Sequence, residues 1–159
     1  MSTRRAGNPG AEAQLDGFIA KFEPAHQALI RATRQGLRRR FPTANELVYD
    51  NYNFFVIGFC PTERPSDSII SIAAAANGVG LCFIHGASLP DPQKILSGSG
   101  KQCRFLRIPS VDVLKRPEVE ALLGVAVDRA KVPLPANGAG KLIIRSVSAK
   151  QRPRRRTKT

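Results

Sequence analysis

The chain has no tryptophan, two tyrosines, eight phenylalanines and one methionine in 159 residues. Its core must therefore rest on Leu, Ile, Val, Ala and the phenylalanines. Cysteine is nearly absent too: Cys60, Cys82 and Cys103 are an odd number at wide spacing. That excludes a disulfide framework and suits a reducing compartment. There is no Cys-x-x-Cys pair and no His-Glu-x-x-His, and the only histidines are His26 and His85. Long apolar runs are missing as well. The longest apolar region, Ser68 to His85, is broken by Asn77-Gly78, whereas a membrane span needs about 20 continuous apolar residues. The opening MSTRRAGNPG has no apolar segment, so no secretory signal is expected and the cytoplasm is the expected location.

Acid is scarce, and what charge there is lies unevenly. Twelve acidic residues face 25 basic ones, for a net charge of +13. All twelve acids lie between Glu12 and Asp128. Arg4 and Arg5 lie in the first ten residues, and Lys150, Arg152, Arg154, Arg155, Arg156 and Lys158 in the last ten. The body between is only mildly basic. With 42% hydrophobic residues, the chain fits one globular domain. The composition divides it into a disordered arm at 1–10, a single domain at 11–148 and a disordered basic tail at 149–159. Such a tail attracts polyanions without reading sequence, so its six cations are candidate nucleic-acid contacts.

Periodicity sets out the elements. Leu15, Phe18, Ile19 and Phe22 fall on one helical face. Pro24 suits the first turn of a second helix, which Pro42 stops. In that helix Leu29, Ile30, Thr33 and Leu37 share one face, and Arg31, Arg34 and Arg38 are expected on the other. Strand composition marks 46–50, 54–60, 68–76, 79–85 and 103–108, the first two as separate strands or as one strand bent at 50–53. Asn77-Gly78 predicts a type I′ hairpin turn between the third and fourth of these. Pro92 to Leu96 reads as a short helix. Pro117 opens a helix with Val119, Leu122, Leu123, Ala126, Val127 and Ala130 on one stripe, and 142–147 is expected as an extra edge strand. This order predicts an α+β fold: an antiparallel sheet of about five strands with N- and C-terminal helices on one face.

One loop stands out chemically. In Gly98-Ser99-Gly100-Lys101, glycines let successive amides point into one concavity, the kind of nest that binds anions. Lys101 and Arg104 add charge. Ile95 and Gln102 stand where a phosphate-binding Walker loop needs Gly and Ser or Thr, so nucleotide hydrolysis is not supported. Tyr49, Asn51, Tyr52 and Asn53 form a polar-aromatic cluster at a strand bend. They would line a pocket beside the glycine turn if their two strands were neighbours. Cys82 and His85, three apart on one strand, face opposite sides and do not chelate a metal together. No nucleophile, base and orienter are recognisable, and no paired carboxylates, so an enzyme is not expected. The sequence names no cofactor and no oligomeric state.

The run GASLPDPQKILSGSGKQCRFLRIP after VGLCFIHG resembles the YdhG-like family, a domain of unknown function. So does Phe41-Pro42 followed by Glu46-Leu47-Val48. The resemblance covers roughly residues 11 to 131. It implies an α-β-α sandwich often compared with frataxin, and it raises iron handling as one role. Frataxin-type iron binding uses an acidic ridge on the first helix and strand. Here that region offers Glu12, Asp16, Glu23, Glu46 and Asp50, interleaved with Lys21, Arg31, Arg34 and Arg38 to Arg40, which would lower affinity for a hard cation. The expected function is a non-enzymatic module for a small anionic ligand. Nucleic-acid association through the tail and iron chaperoning are the alternatives.

Overall fold

In the computed structural model, residues 9–156 are described. Arg4, Arg5 and Lys158 lie outside the described residues. Among these there are three α-helices, α1 (Pro9–Ile19), α2 (Pro24–Arg40) and α3 (Pro117–Asp128). Six strands form one sheet: β1 (Asn45–Asp50), β2 (Phe55–Cys60), β3 (Ile70–Ala75), β4 (Gly78–Phe83), β5 (Arg104–Arg107) and β6 (Leu142–Val147). Their spatial order is β5-β4-β3-β2-β1-β6. Four neighbour pairs are antiparallel, but β6 runs parallel to β1. The fold is thus α+β with a mixed sheet: the extra edge strand joins the five others to make six, and the sheet is not wholly antiparallel. The reason is the route of the chain. After β5 at one edge it carries α3 across and returns to the far edge, where Glu46 N donates to Lys141 O at 2.8 Å and Lys141 N to Asn45 Oδ1 at 2.9 Å.

The helices cover one face. Val48, Ile57, Ile72 and Leu81 stand side by side in register across β1 to β4. They are fully buried in one core with Leu15, Ile19, Phe22, Ile30, Leu37 and Val119 from the helical segments. The amphipathic stripes read from the sequence are the faces buried, since transfer of apolar surface from water drives the packing. Arg34 is the exception. It was expected on the solvent side of α2, yet it is buried at 8% exposure. It lies four residues after Ile30 and three before Leu37, which puts it on the core face. There it meets an acid on the sheet.

Two local expectations change. The β3–β4 turn is Ala76-Asn77, because Ala75 pairs with Gly78. Gly78 has φ +144, while Lys94 is the one non-glycine with positive φ among the described residues. The glycine thus serves the fourth turn position, and Asn77 needs no left-handed backbone, so the turn is not type I′. Pro92 to Leu96 forms no helix. Asp91 instead accepts from Ile95 N and Leu96 N, each at 3.0 Å, and holds that segment as a turn.

Candidate functional site

The glycine loop folds as the tip of a small hairpin. Ser97 and Phe105 exchange backbone bonds of 2.8 Å in both directions. Gly98 has φ +120, and an added Cβ there would lie 3.4 Å from the Phe105 ring. Gly98, Ser99, Gly100 and Lys101 are all exposed. Arg104 does not reach outward from them. Its Nη1 donates to Gly100 O at 2.6 Å and Cys103 O at 2.8 Å, so the guanidinium closes the loop on its own carbonyls. Tyr49, Asn51 and Tyr52 do not join this loop, because β2, β3 and β4 separate β1 from β5. The cluster turns to the C-terminal end instead. Asn51 Oδ1 accepts from Ser146 Oγ at 2.7 Å, and the Arg152 guanidinium lies 5.6 Å from the Tyr52 ring centre.

A larger concavity opens elsewhere. Three pieces bound a cleft of about 730 Å³: the one-turn 3-10 helix Pro65–Asp67, the end of β4 with the following 3-10 turn Gly86–Ser88, and the segment after α3. Its floor is apolar, with Ile69, Phe83 and Leu89, and the exposed Val132 also lines it. Its rim is cationic, with Arg64, Arg129 and Lys131, and His85 and Ser88 add polar groups. Asp67 is the one carboxylate in the lining, and it accepts from Thr62 Oγ1 at 2.8 Å and lies 4.0 Å from Arg64 Nε. Arg129 Nη1 donates to Ser88 O at 2.6 Å, tying the end of α3 to the 3-10 turn. Gly86 permits that turn's close approach to β5: a Cβ there would stand 2.6 Å from Arg104 Cβ and 3.0 Å from Phe83 Cβ. Sequence reasoning missed this cleft because its cations come from distant segments and form no motif. His85 at a strand end was its only signal.

Four of the five carboxylates of the supposed ridge, all but Glu23, are held by cations. Glu46, fully buried, takes a two-point contact from Arg34, Nε to Oε2 at 2.7 Å and Nη2 to Oε1 at 3.0 Å. Arg34 also reaches Glu12 at 3.1 Å, and Arg31 holds Asp16 at 2.7 Å. Burial alone would push the Arg34 pKa down, but the bonds and charges of Glu46 and Glu12 outweigh it and hold the guanidinium charged. Asp50, also fully buried, lies 2.8 Å from both Lys21 Nζ and Arg154 Nη2. Burial pulls its carboxyl upward, yet the bonds from Lys21, Arg154 and Gln151 together hold it below the ordinary aspartate value. Among the described residues no group of three or more His, Cys, Asp or Glu side chains is placed to hold a metal. All three cysteines are free thiols. Burial, followed by the neighbouring Cys103 thiol, pushes Cys82 up to about 12.

The basic run behaves unlike a solvated tail where it is described. Gln151 Nε2 donates to Asp50 O at 2.7 Å and Arg152 N to Tyr52 O at 2.9 Å. Arg154 is buried at 4% exposure, with its Nη2 shared between Asp50 Oδ1 and Asn51 O. Lys150, Arg152, Arg155 and Arg156 are exposed. No helix among the described residues is long and apolar enough to cross a membrane. Comparison with protein-family models, curated proteins and solved structures found no match to the chain.

Proposed function

We propose that the chain is a YdhG-like binding module, not an enzyme, whose ligand is a small organic anion seated in the cleft beside the end of α3. The charge balance of that cleft carries the reading: three cations against one already paired carboxylate, around an apolar floor. A ligand that fits both surfaces has an apolar body and a carboxylate or phosphate head. The positive charge must come from Arg64, Arg129 and Lys131, because the C-terminal pole of α3 is itself negative. Free cysteines suit the cytoplasm as the working compartment.

Calorimetry with octanoate and with phenyl phosphate tests the reading. A charge-assisted contact contributes about 1.5–3 kcal/mol, so Arg129→Ala or Lys131→Ala should weaken binding roughly 10- to 100-fold. Lys101→Ala, at the glycine loop, should leave affinity unchanged. No saturable binding of either probe, or an equal loss with Lys101→Ala, overturns the cleft assignment.

A further inference from the structure

A second concave surface shares no residue with the cleft. It lies where the β1–β2 and β3–β4 turns meet the C-terminal run, a groove of about 830 Å³. Arg152, Arg155 and Arg156 line it with Phe54, Asn53 and Asn77, and no acidic residue does. Phe54 is 50% exposed and its neighbour Tyr52 43%. Leaving the Phe54 ring half in water beside three guanidinium groups has no folding benefit, since exposed apolar area forgoes the gain of burial. The run is also held in place. Arg154 points inward to Asp50, which orients Arg152 over the Tyr52 ring and leaves Arg156 outward. Arg155 Nε bonds Lys21 O at 3.2 Å. Arg152 and Arg155 are therefore positioned before any partner arrives, which lowers the ordering cost of binding.

We infer that this groove binds single-stranded nucleic acid, with the arginines on phosphates and the exposed ring of Phe54 stacking on a base, while Tyr52, outside the groove lining, supports the Arg152 guanidinium. Concavity, cations and flat rings together are what sequence-tolerant strand binding requires. An anionic bilayer would take the same charges, but Phe54 is the groove's single large apolar side chain, the other apolar ones being alanine and proline, which is little to insert. The small-anion reading of the cleft does not enter this inference, and either can fail alone.

Fluorescence anisotropy of the full chain with a labelled oligothymidylate, across a salt series, tests it. The termini are the same in every variant, so their charges cancel. Binding should saturate and weaken as salt rises. Arg152→Ala combined with Arg156→Ala should lower the log–log salt slope by about 1.4, near 0.7 per lost phosphate contact. Phe54→Ala should weaken binding about 5- to 100-fold at unchanged slope, and Phe54→Trp should restore it. Unchanged affinity in Phe54→Ala overturns the inference, and so does the absence of saturable binding. Equal binding to vesicles of anionic lipid, whether or not it depends on Phe54, assigns the surface to membranes and overturns it as well.

Discussion

Asp50 is a fully buried carboxylate with cations on two sides, Lys21 from the end of the first helical segment and Arg154 from a point 104 residues later. Lys21 is partly exposed and screened, whereas Arg154 is not, so the second pair dominates. Removing the acid leaves a buried guanidinium whose Nε and Nη1 already lack partners, with Asn51 O at 2.6 Å and the Phe22 ring at 6.0 Å beside it and no counter-charge on it. Asp50→Asn should therefore cost about 3–5 kcal/mol at neutral pH. The pH dependence has a definite sign. The folded-state pKa is depressed, so the stabilisation is complete above the unfolded value near 4 and is lost as pH falls through the folded value. In urea unfolding, the gap between wild type and Asp50→Asn should narrow below about pH 4. A gap that persists undiminished in acid would remove the ion pairs as its cause.

The 3-10 turn at Gly86–Ser88 couples β4, β5 and α3, and Gly86 is its tightest point. Arg104 Cβ and backbone N, and Phe83 Cβ, stand 2.6, 3.0 and 3.0 Å from where a methyl would go. These are strand atoms, not flexible side-chain ends, so the turn must move instead. Gly86→Ala should cost about 1–3 kcal/mol through overpacking and should also weaken binding in the cleft, since Arg129 is tied to Ser88 O. Urea unfolding alongside calorimetry reads both; full stability with full affinity would show that the turn gives way freely. That contact also marks how far sequence reaches. Helices and strands were legible because Leu15, Ile30, Ile57 and Leu122 repeat at the helical or strand period, a local signal. The direction of β6 was not, because it depends on where the chain lands after α3. Arg34 was misjudged because residue type outweighed its position between Ile30 and Leu37. The supposed joint site of Lys101 with Tyr49 failed on strand order, which no local pattern encodes.

A surplus of positive charge shapes the whole molecule, and the last residues carry much of it. Composition alone reads 149–159 as a solvated end, and that reading has a consequence opposite to the structure's. If the end were solvated, deleting it would relieve self-repulsion in a chain of net charge +13 and leave the body unchanged or more stable. With Arg154 buried on Asp50, deletion removes a partner from inside the fold. The two effects differ in range. Repulsion among exposed arginines is screened beyond about 8 Å at physiological salt, so its relief is small. Loss of the buried partner costs about 3 kcal/mol, the low end for such pairs because Lys21 remains. Truncation after Ser148 should therefore lower the melting temperature by about 6–12 °C, at roughly 2–4 °C per kcal/mol for a chain of this size. Arg154→Ala alone should reproduce most of that loss. Arg152→Ala with Arg156→Ala should reproduce almost none, since both side chains are exposed. Calorimetric melts of the three variants decide it. A truncation that melts at or above the wild-type temperature would mean that Arg154 does not hold the terminus to the body, and the groove built on that anchor would lose its arginines.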